Sequence, residues 1–357
     1  MFFRLIIPLC VVSVSSVSAR PREITPPSFR GAAQPRVAVA PSGRIHIVFG
    51  KDKAIYHVTS SDGEVFSTPV KIATLDQLAL GKRRGPRVTA TDTTVLVTAI
   101  SHGDGNLHAW ISDSEGQIWK EIDPINTVLN SAREGLQALA GDGRGGVMAV
   151  WLDLRDGGTE LWGRHSVDGG RTWSADFSLY GSPDGHICEC CVPNIAFGPR
   201  GRMAAMWRNW LDGSRDLYLA TSDTAGGAFK AASKLGTGTW KLEGCPMDGG
   251  SIAFAPSGEW LAAWRRGGTV FTSSPDHPEK LLARSAAQPV VGFAGLVPLV
   301  FWESGGSLIL QRGSKPPVPF AESASAAAIA SGPDAAVVVW ESSVGGNQTI
   351  LLDRVLY

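Results

Sequence analysis

The sequence predicts an all-β propeller of four-stranded blades, and three observations carry that prediction. A phrase of two short strands recurs seven times along the chain. Five copies end the second strand with Trp. No segment combines helical apolar spacing with caps. Length and composition agree: 357 residues, 43% hydrophobic, can bury a large core, and 42 Gly and 22 Pro suit many tight turns.

The first segment reads as an export signal. Arg4 supplies the positive start, Leu5 to Val17 is apolar with Ser mixed in, and Val17-Ser18-Ala19 is a small-residue cleavage site before Arg20. The run is too short and broken to span a bilayer. Leu9 precedes Cys10 where a lipid anchor would want a small residue. The expectation is a leader over 1–19 and one propeller domain over 20–357. The mature chain is expected in the periplasm or outside the cell, where disulfides persist. Lys+Arg and Asp+Glu are 33 each, a balance that offers no field for nucleic acid or an anionic membrane.

The repeat begins at Pro35 to Gly43 with Ile45 to Phe49. It returns at Pro86 to Ala90, and at Leu136 to Ala140 with Gly146 to Trp151. It continues at Val192 to Phe197 with Met203 to Trp207, and at Ser251 to Phe254 with Trp260 to Trp264. The last copies are Pro289 to Phe293 with Leu299 to Trp302, and Ala326 to Ile329 with Ala336 to Trp340. Units roughly 37 to 55 residues apart fit four-stranded blades. Seven blades is the favoured count. Six is the alternative, if two weaker C-terminal units merge. The seventh unit is one strand short at Tyr357, and Arg22 to Phe29 is the segment that can supply it. Trp151, Trp207, Trp264, Trp302 and Trp340 share one repeated position, so they are expected to do one repeated job, packing between blades.

Ser166-Val167-Asp168-Gly169-Gly170-Arg171-Thr172-Trp173 fits Ser-x-Asp-x-Gly-x-Thr-Trp at every fixed position. Ser and Asp side chains can bond turn amides, Gly takes a positive φ, and Trp packs into the blade. Ser112 to Trp119 is a degraded copy with Ser114 for Asp. Ser60 to Phe66 and Thr221 to Phe229 are further copies, off by one residue. On these motifs the chain resembles the sialidase superfamily of Asp-box (BNR-repeat) propellers. The resemblance implies that Ser166, Asp168, Gly170 and Trp173 serve folding, on the face away from the active site.

If Asp boxes mark the turns between third and fourth strands, the second-to-third turns and the links between blades share the opposite face. Those turns carry His102 and Asp104, then Asp153, Arg155 and Asp156, then Arg208, Asn209 and Asp212. Arg265 with Arg266, Glu303 and Glu341 complete them. The links carry Lys82 to Arg84 and Arg87, Arg133 with Glu134, His186 to Cys191, and Glu243 to Asp248. Charge collected there suits a polar, anionic ligand such as a glycan. The resemblance implies three Arg for a substrate carboxylate, an acid/base Asp, and a Tyr activated by Glu. Arg87, Arg133, Arg208 and Arg265 are the candidates for the carboxylate, and Asp153, Glu134 and Glu303 for proton transfer. The family's Arg-Ile-Pro start is absent. Pro35-Arg36-Val37 is nearest and Pro86-Arg87-Val88 repeats it. Tyr218 stands in the right part of the chain but inside a strand.

Four cysteines follow the leader: Cys188, Cys190 and Cys191 beside His186, and Cys245. Both segments link consecutive blades and should meet on one face. An even count in an exported chain suits two disulfides, with three pairings open. Four thiolates with His186 and Met247 nearby would instead suit copper(I) or zinc. Two functions therefore stand: a sialidase-type glycoside hydrolase, or a non-catalytic propeller binding glycan, protein or metal through a Cys-rich face.

Overall fold

A computed structural model describes residues 21–356. The expected leader lies outside the described residues. The rest is a closed ring of seven antiparallel four-stranded sheets, so the favoured count holds and the six-bladed alternative falls. Two single-turn 3-10 helices, Pro27–Phe29 and Pro199–Gly201, are all the helix among the described residues.

Residue type follows radial position. The inner strands are Ala33–Val39, Arg87–Ala90, Gln137–Gly141, Asn194–Phe197, Ser251–Phe254, Ala287–Ala294 and Ala324–Ala330. They crowd around the axis, where small side chains fit; Ala324–Ala330 is Ala-Ser-Ala-Ala-Ala-Ile-Ala. Second strands lie between two neighbouring blades and are apolar on both faces. All seven residues of Val147–Asp153 are buried. Outer strands such as Val70–Thr74 have no buried residue.

The five Trp side chains do one repeated job. Each is at most 3% exposed. Trp151 packs against Ile100, Leu107 and Ala109 of blade 2, and Trp207 against Leu152 and Leu161 of blade 3. Trp264, Trp302 and Trp340 likewise face the preceding blade. Truncating one such side chain to Ala typically costs about 3–5 kcal/mol.

The N-terminal segment closes the ring as expected. Arg22 and Glu23 pair with Leu352 and Leu351, and Ile24 N donates to Ile350 O at 3.0 Å. The last blade thus takes its outermost strand from the chain start, which ties the two ends of the chain together in one sheet. Two carboxylates clamp the same region. Glu341 of blade 7 accepts from Gln34 N of blade 1 at 2.6 Å. Glu303 of blade 6 accepts from Ala326 N of blade 7 at 2.9 Å. Gln34 and Ala326 have φ of 55° and 52°, and each sits at a bulge of its inner strand.

The turn after the third strand of blade 3 is held by short-range bonds. Ser166 Oγ accepts from Gly170 N at 2.9 Å and donates to Asp168 Oδ1 at 2.7 Å. Asp168 Oδ1 also accepts from Arg171 N and Thr172 N, at 3.0 and 2.9 Å. Trp173 Nε1 donates to Gly170 O at 3.0 Å. Gly170 has φ of 92°, a conformation that disfavours other residues. In blade 2 Ser114 Oγ does part of this work, accepting from one backbone amide, Ile118 N, at 2.9 Å. In blade 4 Asp223 instead pairs with Lys230, at 2.7 Å.

Candidate functional site

Strand direction places the starts of inner strands, the second-to-third turns and the inter-blade links on one face, opposite the Ser166–Trp173 turn. A central channel of about 400 Å³ runs down the axis, lined by inner strands of all seven blades. Arg36, Arg83 and Arg87 line it. Arg83 reaches across the mouth, donating to Pro289 O at 3.2 Å. Arg87 spends its guanidinium on the carbonyls of Arg83, Gly85 and Pro86. Burial, then the nearby charges of Arg36 and Arg83, holds Arg87 below the ordinary arginine range.

Beside the mouth lies a cluster of thiols. Residues 181–193 link blades 3 and 4. Within the link, Cys188 N donates to Arg208 O at 3.0 Å and Cys191 N to Cys188 O at 3.4 Å. This turn brings Cys188, Cys190 and Cys191 together, all at most 8% exposed. Cys188 Sγ lies 3.7 Å from Cys190 Sγ and 3.6 Å from Cys191 Sγ, and all three sulfurs are within 4.8 Å of one another. The expected disulfides are not formed: all four described cysteines are free thiols. The sulfurs stand well beyond the roughly 2.05 Å of a disulfide, because three of the four positions 188–191 of one tight turn converge on a point rather than pairing. Cys245 is exposed and outside the group. His186 is outside it too, edge-on to Trp210 with centroids 4.6 Å apart.

Buried charge surrounds the thiols. Asp248, from the link between blades 4 and 5, lies with Oδ1 3.7 Å from Cys191 Sγ. It accepts from Arg208 Nη2 at 2.8 Å and from Arg265 Nε at 2.6 Å. Arg215 Nη1 donates to Cys188 Sγ at 3.0 Å. Arg215 also stacks on Trp210, 4.1 Å from the ring centroid, and donates to Leu242 O at 3.2 Å. Arg208 and Arg265 both lie over Trp240. Burial opposes a charge on Cys191, but bonds from the other two thiols and the Arg208 guanidinium outweigh it and lower its pKa. Cys188 is pushed up to about 12. Its contact with Cys190 resists, while that with Cys191 and burial prevail.

The residues expected for glycoside hydrolysis are dispersed around this face. Asp153 is buried and saturated. It accepts from Ser131 Oγ and Trp151 Nε1 at 2.7 Å, and from Arg155 N, Nε and Nη2 at 2.9 Å. Burial resists, but those bonds lower its pKa. Glu303 is engaged in the clamp to Ala326. Burial raises its pKa against that bond and Arg83. Arg208 and Arg265 are paired with Asp248, and exposed Arg133 donates to Asn130 O at 3.1 Å. Glu134 is half-buried with no side-chain hydrogen bond. Burial first, then Glu189, raises its pKa. Tyr218 lies in its strand beside Tyr180 and Trp207. The structure thus gathers three of the four expected cysteines and two of the four expected arginines. It adds Arg215, which sequence reasoning passed over although it stands in the charged turn after Asp212.

No protein-family model matches the chain, and no curated protein sequence does. Solved structures match by fold. The NanB sialidase of Streptococcus pneumoniae is 9% identical with TM-score 0.52, covering 95% of this chain and 70% of that one. Virginiamycin B lyase of Staphylococcus aureus is 11% identical with TM-score 0.52, covering 95% and 99%. A protein of unknown function from Dyadobacter fermentans is 14% identical with TM-score 0.51, covering 95% and 98%. The chain is thus similar to a sialidase and other propellers in fold.

Proposed function

We propose that this chain is an exported, sialidase-like propeller that binds a soft metal ion, copper(I) or zinc, at its cysteine-lined mouth. The observation behind this reading is the convergence of three buried sulfurs, with separations of 3.6 and 3.7 Å. Metal–thiolate bonds of about 2.3 Å at tetrahedral angles set sulfurs about 3.8 Å apart. Soft, dry thiolate donors select soft ions. The leader pattern supports export. The Ser166, Asp168, Gly170 and Trp173 bonding supports the Asp-box identity of the opposite face.

The test uses reduced, metal-free full-length protein. It is titrated with copper(I) against a competing chelator, and separately with zinc(II), and bound metal is measured by mass spectrometry. One ion per chain is expected, with loss in Cys188→Ser and Cys190→Ser. A wild-type chain that takes up neither ion overturns the reading.

A second reading, glycoside hydrolysis of an anionic glycan, rests on Glu134. It is the one expected acid without a side-chain hydrogen bond, and burial tunes it toward holding a proton. Turnover of a fluorogenic sialoside between about pH 4 and about pH 8 would support it. No turnover across that range sinks it.

A further inference from the structure

The thiol cluster has a surrounding shell whose charge discriminates between the two ions. Resting on the metal-binding reading, we infer that the resident ion is copper(I), held as an anionic three-sulfur complex, and that Arg215 is its positioning residue. Three thiolates around copper(I) carry two negative charges; around zinc(II) they carry one. Arg208 and Arg215 are buried, at 1% and 5% exposure, and Arg265 is half-buried. Asp248, also buried, offsets one of these three cations through its pairs with Arg208 and Arg265, and a fourth cation that acts on Asp248 and Cys191, Arg83, is set against the buried carboxylate of Glu303. Two positive charges remain beside the sulfurs, matching the copper(I) complex and leaving the zinc complex one charge out of balance. Uncompensated charge is expensive in such a setting. Glu189, between the cysteines, is exposed, so solvent screens its charge from this balance.

Ligand number separates this group from a closed structural zinc site. Structural zinc takes four protein ligands, and catalytic zinc takes three with water. Among the described residues the group consists of three sulfurs alone. Copper(I) is satisfied by three soft donors. Arg215 is singled out because its Nη1 reaches Cys188 Sγ at 3.0 Å. The face of Trp210 and the carbonyl of Leu242 fix its orientation. An N–H donor held this way orients the sulfur and draws charge from it, as outer-shell partners do at other metal sites.

The experiment compares copper(I) and zinc(II) affinities, by chelator competition, in wild type, Arg215→Gln and Arg215→Lys full-length protein. Wild type should hold copper(I) in preference to zinc(II). Arg215→Gln should weaken copper(I) by about 10- to 100-fold and zinc(II) by less, and Arg215→Lys should recover part of the loss. Near-ultraviolet circular dichroism of the metal-free variants identifies any that misfold. In that event the wild-type preference, together with the Lys variant, decides. Preference of the wild type for zinc(II), or equal loss of both ions in a folded Arg215→Gln chain, overturns the inference while metal binding stands. Binding of neither ion by the wild type removes the metal-binding reading itself.

Discussion

The two faces of this propeller are built by different physics. On one, the Ser166–Trp173 turn is closed by bonds spanning two to four residues, each legible from side-chain type. On the other, Asp248 binds Arg208 across 40 positions, and Arg215 meets Cys188 across 27. Local bonds make a robust, repeatable module. Long-range bonds make a site that exists only when three blades have docked. The two faces are thereby built independently, and a turn can be altered without disturbing the mouth.

The largest expected effect is at the mouth. Cys191→Ser should abolish the metal-induced rise in melting temperature that binding to the native state produces. The melting temperature of the metal-free variant should stay within a few degrees of wild type. Thermal scans with and without copper(I) read both, and a large metal-free loss would mean that the thiols serve the fold.

Removing the carboxylate between the arginines should come next. Asp248→Ala leaves Arg208 buried and unpaired, at an expected cost of about 3–5 kcal/mol in urea unfolding. A cost below about 1 kcal/mol would show that the network is not a supporting frame.

The turn face carries its own acid sensitivity. His46 Nδ1 and His57 Nε2 are 3.1 Å apart and buried. Burial, then Arg44, lowers His46 to about 4. Burial, then His46, lowers His57 to about 3 against a bond to Gly116. The unfolded chain takes up protons near pH 6.5 that the folded chain refuses. Stability is therefore complete above that pH and falls as pH drops toward about 4. The His46→Gln, His57→Gln double variant should flatten the pH dependence of the urea midpoint by up to about two protons. An unchanged slope refutes this assignment.

The smallest effects concern the turns. Asp168→Ala should cost about 1–2 kcal/mol in unfolding free energy and leave copper(I) affinity unchanged. Ser114→Asp should restore the bonds that the blade 2 turn makes only in part, gaining about 0.5–1 kcal/mol in the same measurement. A change in metal affinity in either variant would collapse the separation between the faces.

Much of this architecture was legible beforehand. The recurring strand pairs and Trp151, Trp207, Trp264, Trp302 and Trp340 mark blades because packing between sheets repeats with the chain. Arg22 was identifiable as part of the closing segment because the last unit lacked a strand. The site was legible only as a neighbourhood. Cys188, Cys190, Cys191, Arg208 and Arg265 were singled out, but so were Asp153 and Glu303, whose carboxylates are engaged by Arg155 and Ala326. Arg215 passed unnoticed because nothing in its flanking residues announces a distant sulfur.

Periodicity and turn chemistry are properties of adjacent residues, so the sequence by itself determined the propeller, its closing segment and the residues of its locally bonded turns. Which charged groups neutralise one another is a property of ring closure. Only the tertiary structure decided that three thiols converge while Cys245 stays apart, that Asp248 claims Arg208 and Arg265, and that Arg215 completes the frame. Those partners come from separate links and turns of different blades, and the docking of blades, not local pattern, sets the distances between them.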